Sequence, residues 1–280
     1  PNPDVMCNKE VKFGAFLKYA TKEGADFVAT GHYAQNIFNK NTGKYELHKG
    51  VDNNKDQSYF LWTLTQKELA RTLFPVGAYK KERVREIAKK FGLITATKKD
   101  SQGLCFIGKV DMKEFLKHYI KERDGKVVDI NGNILGTHKG VIFHTLGERH
   151  GFTLTKKTSS DKPYYVIGKN IKENKLIVSH KIKLIRKNNI GKHIISSNYS
   201  FTGTPPQIGE KLEARVRYRE TLFPCRIVDI QKNITEYNIS SSLGRNKLEI
   251  LALNGDDTAT KGQSLVLYRG TECLGGGIIS

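Results

Sequence analysis

The sequence is short of several things, and each shortage narrows what the chain can be. Cysteine occurs four times, as Cys7, Cys105, Cys225 and Cys273, and never as CxxC. No Cys/His set has zinc-ligand spacing, so a zinc finger or ribbon is excluded, and we expect no bound metal. Four cysteines in 280 residues are also too few for a disulfide-stapled scaffold. No apolar run approaches the roughly 18–20 residues that span a bilayer, so no membrane helix is expected. PNPDVMCNKE has neither the basic stretch nor the apolar core of a leader peptide. A reducing cytoplasm is the expected compartment. No internal repeat and no low-complexity linker is visible. Acidic residues are in deficit, 28 against 47 Lys+Arg, which leaves a net charge of +19. Such a charge favours a polyanionic partner. A general Lys/Asn/Ile bias, visible in KNTGK, DNNK and RKNNIGK, accounts for the excess equally well.

What is present is enough chain for a sizeable core and two or three domains. The first residue is Pro rather than Met, and we expect a longer parent chain. Val11, Phe13, Phe16, Leu17 and Ala20 fall at helical spacing, so residues 9–23 are predicted helical, with Gly24 as the stop. The short run Phe27–Thr30 then stops at Gly31. Helix, tight turn, short strand and glycine form the rhythm of a parallel α/β sheet, whose ligands bind beyond the carboxyl ends of strands. A hairpin is predicted over 35–50, turning at Asn41-Thr42-Gly43. A helix is predicted within 55–77, another over 80–92 with Val84, Ile87, Ala88 and Phe91 on one face, and a short one over 110–120. Beyond about residue 124 the pattern becomes strands and turns, with hairpins expected at Asn131-Gly132 and Lys169-Asn170. Strands of this length suggest small barrels. The expected domains are 1–123, 124–184 and 185–280, with 181–193 as a connector.

Two cysteines sit among polar, loop-forming neighbours rather than in apolar runs. Cys7 lies near a helix start, where the dipole and Lys9 and Lys12 favour a thiolate. Asp4 nearby can take a proton but also opposes that thiolate. Cys105 stands between Gly103 and Gly108. Either cysteine alone fits a small, partly buried apolar residue. As a pair they can pass sulfur or close a transient disulfide, provided their Cα atoms come within about 7 Å.

The blocks PNPDVMCNKEVKF, ADFVATGHYAQ, KDQSYFLWTL, DSQGLCFIGK, HTLGERHG, ARVRYRE and GQSLVLYRGTECLGGGII stand in one unbroken order. Together they resemble the bacterial tRNA-specific 2-thiouridylases. The resemblance implies an α/β remnant of an adenine-nucleotide α-hydrolase-like (ATP-pyrophosphatase) domain, followed by two mostly β domains, the last a β-barrel. It implies ATP-dependent 2-thiolation of the wobble uridine of tRNA, with a cysteine persulfide as sulfur donor. The family's Ser-Gly-Gly-x-Asp-Ser phosphate loop is not found here, so this part alone is expected to be inactive. Cys7 resembles the nucleophile, Cys105 the persulfide carrier and Asp4 the acid/base. Gly31 matches a nucleotide contact. Asn2, Pro3 and Asp4 match the stretch that touches the target base. His32, Lys55, Asp56, Gln57, Arg217, Tyr218 and Gln263 match tRNA contacts.

Read alone, each of those contact residues is equally a solvated surface residue, and Asp56 is equally a cap on the turn that follows it. The implied cofactor is ATP, with Mg in the complete enzyme. The implied partners are tRNA and a sulfur-relay protein fed by a cysteine desulfurase, with the chain a monomer and no membrane involved. HTLGERHG departs from the family's usual stretch, and no role is assigned to Glu148 or His150. Residues 232–256 look long for the family. Cys225 and Cys273 fall in predicted strands as core residues. Two other classes remain open: a tRNA-binding module without catalysis, and a redox sensor built on Cys7 and Cys105.

Overall fold

The computed structural model describes residues 2–97, 117–155, 162–180, 192–231, 246–253 and 259–280. They belong to two compact units, Pro1–Ser101 with Asn189–Ser280, and Gln102–Asn188.

The first unit opens on a helix that begins earlier than its apolar spacing suggests. α1 (Pro3–Met6) runs through a π-wound stretch, Cys7–Phe16, into α2 (Leu17–Lys22). Pro3 fits the first helical position, where its missing N–H is no loss. Gly24 ends the helix at a φ of 91°, which glycine adopts without strain. β1 (Val28–Ala29) pairs in parallel with β4 (Thr72–Leu73), and β2 (Ala34–Asn39) forms the expected hairpin with β3 (Lys44–Lys49).

The helix predicted within 55–77 does not form as one element. Ser58–Phe60 makes a tight 3₁₀ turn, and α3 (Gln66–Leu69) lasts a single turn behind a Thr65/Glu68 capping box. The reason is lateral: Tyr59, Phe60, Leu61, Trp62 and Leu64 are all buried, so this stretch has no polar face to turn outward. It threads through the core instead. α4 (Lys81–Lys90) matches its prediction, with Val84, Ile87 and Ala88 half-buried, but Phe91 just past its end is 73% exposed.

The rest of this unit is a closed six-stranded antiparallel barrel. Its strands are β10 (His193–Phe201), β11 (Lys211–Arg215), β12 (Phe223–Gln231), β13 (Lys247–Ala252), β14 (Ser264–Arg269) and β15 (Glu272–Ile279). They run β10-β13-β12-β11-β14-β15, and β15 closes back onto β10. Alternate residues fill the interior, as Leu248, Ile250 and Ala252 do along β13. The seam needs glycine: a Cβ on Gly275 would lie 2.1 Å from the Ser200 carbonyl oxygen, and one on Gly276 2.1 Å from that of Leu265. At Glu272, β15 also pairs with His48 of β3, so hairpin and barrel share one sheet. A second core lies alongside, where Val5, Phe13, Tyr59 and Trp62 join Val266, Tyr268 and Cys273. Each large apolar side chain buried there contributes about 1.5–3 kcal/mol.

The second unit is a five-stranded sheet. Its strands are β5 (Gly125–Val128), β6 (Ile134–His138), β7 (Phe152–Leu154), β8 (Tyr165–Asn170) and β9 (Lys175–Ser179), ordered β7-β6-β5-β9-β8. Only the β5–β9 pair among them is parallel. Its core is Val127, Val141, Val166, Leu176 and Val178. The first hairpin turns at Gly132 as expected. The second turns later than Lys169-Asn170, over 171–174. Asn174 adopts φ 50° there, because its side chain accepts from Val141 N and donates to the Arg123 and Asp124 carbonyls. The helix predicted over 110–120, the connector 181–193 and the long stretch 232–256 lie largely outside the described residues. Among the described residues no helix is long and apolar enough to cross a membrane.

Candidate functional site

The start of the first helix gathers four of the expected residues, Asn2, Pro3, Asp4 and Cys7. Asn2 is the N-cap: its Oδ1 accepts from Asp4 N at 2.9 Å and from Val5 N at 3.3 Å. That oxygen is therefore engaged in holding the helix start. Asp4 and Cys7 are three residues apart, so they share one face, and both are half-buried. Burial pushes the Asp4 carboxyl above its ordinary range, and the charge of Lys12 opposes that rise. Val5 is buried beneath this face, and Asn8 Nδ2 donates to the Phe60 carbonyl at 3.1 Å. Asn8 thus ties the helix start to the 55–62 stretch, a role the sequence reading missed. Gly14 sits inside the π winding, where a Cβ would stand 2.7 Å from the Lys9 carbonyl oxygen.

Gly31 and His32 follow the carboxyl end of β1. Gly31 is exposed, and a Cβ there would meet nothing within 4 Å. His32 is different, being only 8% exposed. Thr30 Oγ1 lies 2.8 Å from its Nδ1, and Lys12 Nζ lies 3.5 Å from its Nε2. An ammonium only donates, so Nε2 accepts and the ring proton sits on Nδ1, directed at Thr30. The rings of Phe13 and Phe74 pack against it at 5.9 and 6.1 Å. Burial, then the Lys12 charge, pushes the His32 pKa down to about 3. The imidazole is neutral at any working pH, so it offers no cation to a phosphate.

The Lys55-Asp56-Gln57 loop divides in the same way. Asp56 is 2% exposed. Its Oδ1 accepts from Gly50 N and Ser58 N, and its Oδ2 from Arg215 Nη1 at 3.1 Å. Asp56 caps the turn that follows it, and its side chain serves the frame. Gln57 Oε1 accepts from Tyr33 N, while Gln57 N donates to the Tyr33 carbonyl. Lys55 is half-buried and lines a shallow depression with Asn53, Asn54 and Arg219. Arg217 and Tyr218 are half-buried. Tyr218 packs tilted against Phe60 at 4.5 Å, and Arg219 lies over it at 5.2 Å while donating to the Asn54 carbonyl. Arg215 and Arg219 were absent from the sequence prediction. Only their long-range partners mark them, and no local pattern carries that. Gln263 is half-buried just before β14, its carbonyl accepting from Ile279 N.

Cys105 lies outside the described residues. Cys225 and Cys273 are fully buried, and burial pushes each thiol up to about 12. Among the described residues no cluster of His, Cys, Asp or Glu could hold a metal ion.

Three family models match in succession. They are the tRNA methyl transferase HUP domain over 1–109, the tRNA methyl transferase PRC-barrel domain over 113–180, and the aminomethyltransferase beta-barrel domain over 191–279. Similar proteins include the tRNA-specific 2-thiouridylase MnmA of Shigella dysenteriae serotype 1 (strain Sd197) and that of Escherichia coli O157:H7. Each is 40% identical over 282 residues, an alignment that spans all of this chain and 72% of the relative.

Proposed function

This chain belongs to the tRNA-specific 2-thiouridylase family, and from that premise we propose that it carries the sulfur-transfer and tRNA-gripping parts of a thiouridylase acting on the wobble uridine. The observation that carries the reading is the joining of Asp4 and Cys7 on one helix face to the Lys55–Arg219 surface, through Asn8 and Phe60. A nucleophile and a proton carrier there stand on the same body as a basic, aromatic RNA surface.

ATP fits beyond β1 at Gly31, and when bound it supplies the activation that makes a uracil oxygen a leaving group. The chain's own residues do the rest. The Asn2–Asp4 stretch receives an extruded base. Asp4, half-buried with a raised pKa, exchanges a proton beside it. Cys105 carries a persulfide from a relay protein. Either the Cys7 thiolate attacks the inner sulfur and hydrosulfide leaves to attack C2 of the uracil, or the outer persulfide sulfur attacks C2 and Cys7 then releases the product from Cys105; both routes end in a Cys7–Cys105 disulfide. Two thiols are thereby oxidised to one disulfide, and an external thiol reductant restores them. Lys55, Arg217, Tyr218 and Arg219 supply charge and stacking for the RNA. Asp56 and Gln57 support that surface from below, and His32 holds Lys12.

The test has two arms. Incubation with a cysteine desulfurase and cysteine should add one sulfur mass to the Cys105 peptide, and Cys105→Ser should abolish the gain. Replacing the chromosomal copy with Cys7→Ser should remove the mercury-gel retardation of thiolated tRNA. Retained thiolation in Cys7→Ser, or no sulfur gain with a competent donor, would refute the assignment. Binding of tRNA with neither activity would leave the non-catalytic alternative.

A further inference from the structure

The HTLGERHG stretch of the second unit has no part in the mechanism above, yet its loop is firmly built. Glu148 Oε2 accepts from Thr145 N at 2.8 Å, and His144 Nδ1 lies 3.4 Å from Glu148 Oε1. Two main-chain bonds pin the loop to β8: Gly147 N donates to the Val166 carbonyl and Val166 N to that of Glu148, each at 2.8 Å. Gly151 follows at a φ of 85°, where a Cβ would stand 3.1 Å from Glu148 Oε1. The Glu148 carboxylate thus serves the loop itself, and among the described residues no acid pairs with its neighbour Arg149.

Arg149 and His150 are both exposed. Arg149 Nε donates to His150 Nε2 at 3.1 Å, which steadies the guanidinium and leaves its two terminal nitrogens for a bidentate anion. The pair lines a cleft of about 190 Å³ with Phe152, Leu154, Pro163 and Tyr164. The Tyr164 ring is itself braced, packing tilted against His180 with centroids 3.7 Å apart. A charged fork beside an aromatic ring matches what an RNA strand presents, a phosphate next to a sugar and a base face. The charge is also unevenly spread. Over 102–188 Lys and Arg outnumber Asp and Glu more than twofold, against 47 to 28 in the whole chain. A general lysine bias would spread its excess evenly.

We propose that the Arg149–His150–Tyr164 cleft is a second RNA contact, seating one backbone phosphate on Arg149 with its nucleoside against Tyr164. It rests on the tRNA reading given above, but stands on a different unit from the Lys55–Arg219 surface.

The test is retention of unmodified tRNA on filters by the full chain across a salt series. Arg149→Ala should weaken binding and make the slope of log affinity against log salt shallower by about 0.7–0.9, the share of one phosphate. Tyr164→Leu, which keeps apolar bulk, should weaken binding with that slope unchanged. Ultraviolet crosslinking of the wild-type complex, which needs no variant, should leave a nucleotide mass on the Tyr164 peptide. Wild-type affinity and slope in Arg149→Ala, where Lys55→Ala still weakens binding, overturn the second contact and leave the tRNA reading standing. A wild-type chain that retains no tRNA overturns both. Loss of polyglutamate binding in Arg149→Ala, with tRNA binding unmoved, assigns the cleft to an acidic protein and overturns the RNA assignment.

Discussion

The Asp56–Arg215 pair joins the 55–62 loop to the barrel across 159 residues of sequence, and its removal has a calculable cost. Both side chains are nearly dry, 1% exposed for Asp56 and 10% for Arg215. In Arg215→Met the Asp56 carboxylate stays buried with two backbone N–H donors and no cation. Breaking a buried pair by removing one partner costs about 3–5 kcal/mol, and the surviving donors place this case near the lower end. For a unit of this size, about 3 kcal/mol lowers Tm by roughly 6–12 °C. The double variant Asp56→Asn/Arg215→Met removes both charges and should lose less than the two single losses added. Trp62 is the assay. It is the only tryptophan, buried in the same core with its Nε1 donating to Ser264 Oγ at 3.0 Å, so its fluorescence in urea reports this unit. An Arg215→Met loss below about 1 kcal/mol, or strictly additive losses in the double variant, would show that the pair is solvent-screened and refute the reasoning.

Gly14→Ala should lower Tm, although alanine favours helix over glycine by about 1 kcal/mol, because the added methyl meets the Lys9 carbonyl; a rise in Tm would contradict the π winding. The His32 pKa is depressed in the folded state, so its contribution is intact above the unfolded value of 6.5 and is lost as pH falls toward about 3. Over that whole window the loss is on the order of 4 kcal/mol, and His32→Gln should flatten the pH dependence of unfolding there by a comparable amount. Brief alkylation at pH 8 should label Cys7 while sparing Cys225 and Cys273, whose buried thiols lie near 12; peptide mass mapping with equal labelling of all three would contradict the packed core.

Local signals carried much of this fold. The hairpin over 34–49, the helix ending at Gly92 and the turn at Gly132 follow from turn residues and periodicity that act within a few positions. The barrel strands after β10 were legible as strand-length runs, as along β13, whereas β10 itself was not picked out. The sequence reading went astray where burial is two-sided. Residues 59–64 look like an apolar helix but are a buried thread, since periodicity cannot separate the two. The site divided similarly. Asp4, Cys7 and Gly31 were singled out by helix-start and strand-end position, and their proposed roles come from the family resemblance. His32 and Asp56 look like surface polar residues, yet both are buried, because their partners Lys12 and Arg215 are supplied by tertiary structure. Nothing local to GHY or KDQ announces that.

β15 is paired on both sides: it closes the barrel against β14 and β10, and its first residue hands the sheet on to β3. The distance from the Lys55 loop to Tyr218 is thereby set by main-chain ladders together with the buried Asp56–Arg215 pair. An RNA spanning both would have to match a ruler already cut, and selection among RNAs would fall on the curvature of their backbones before any base is read.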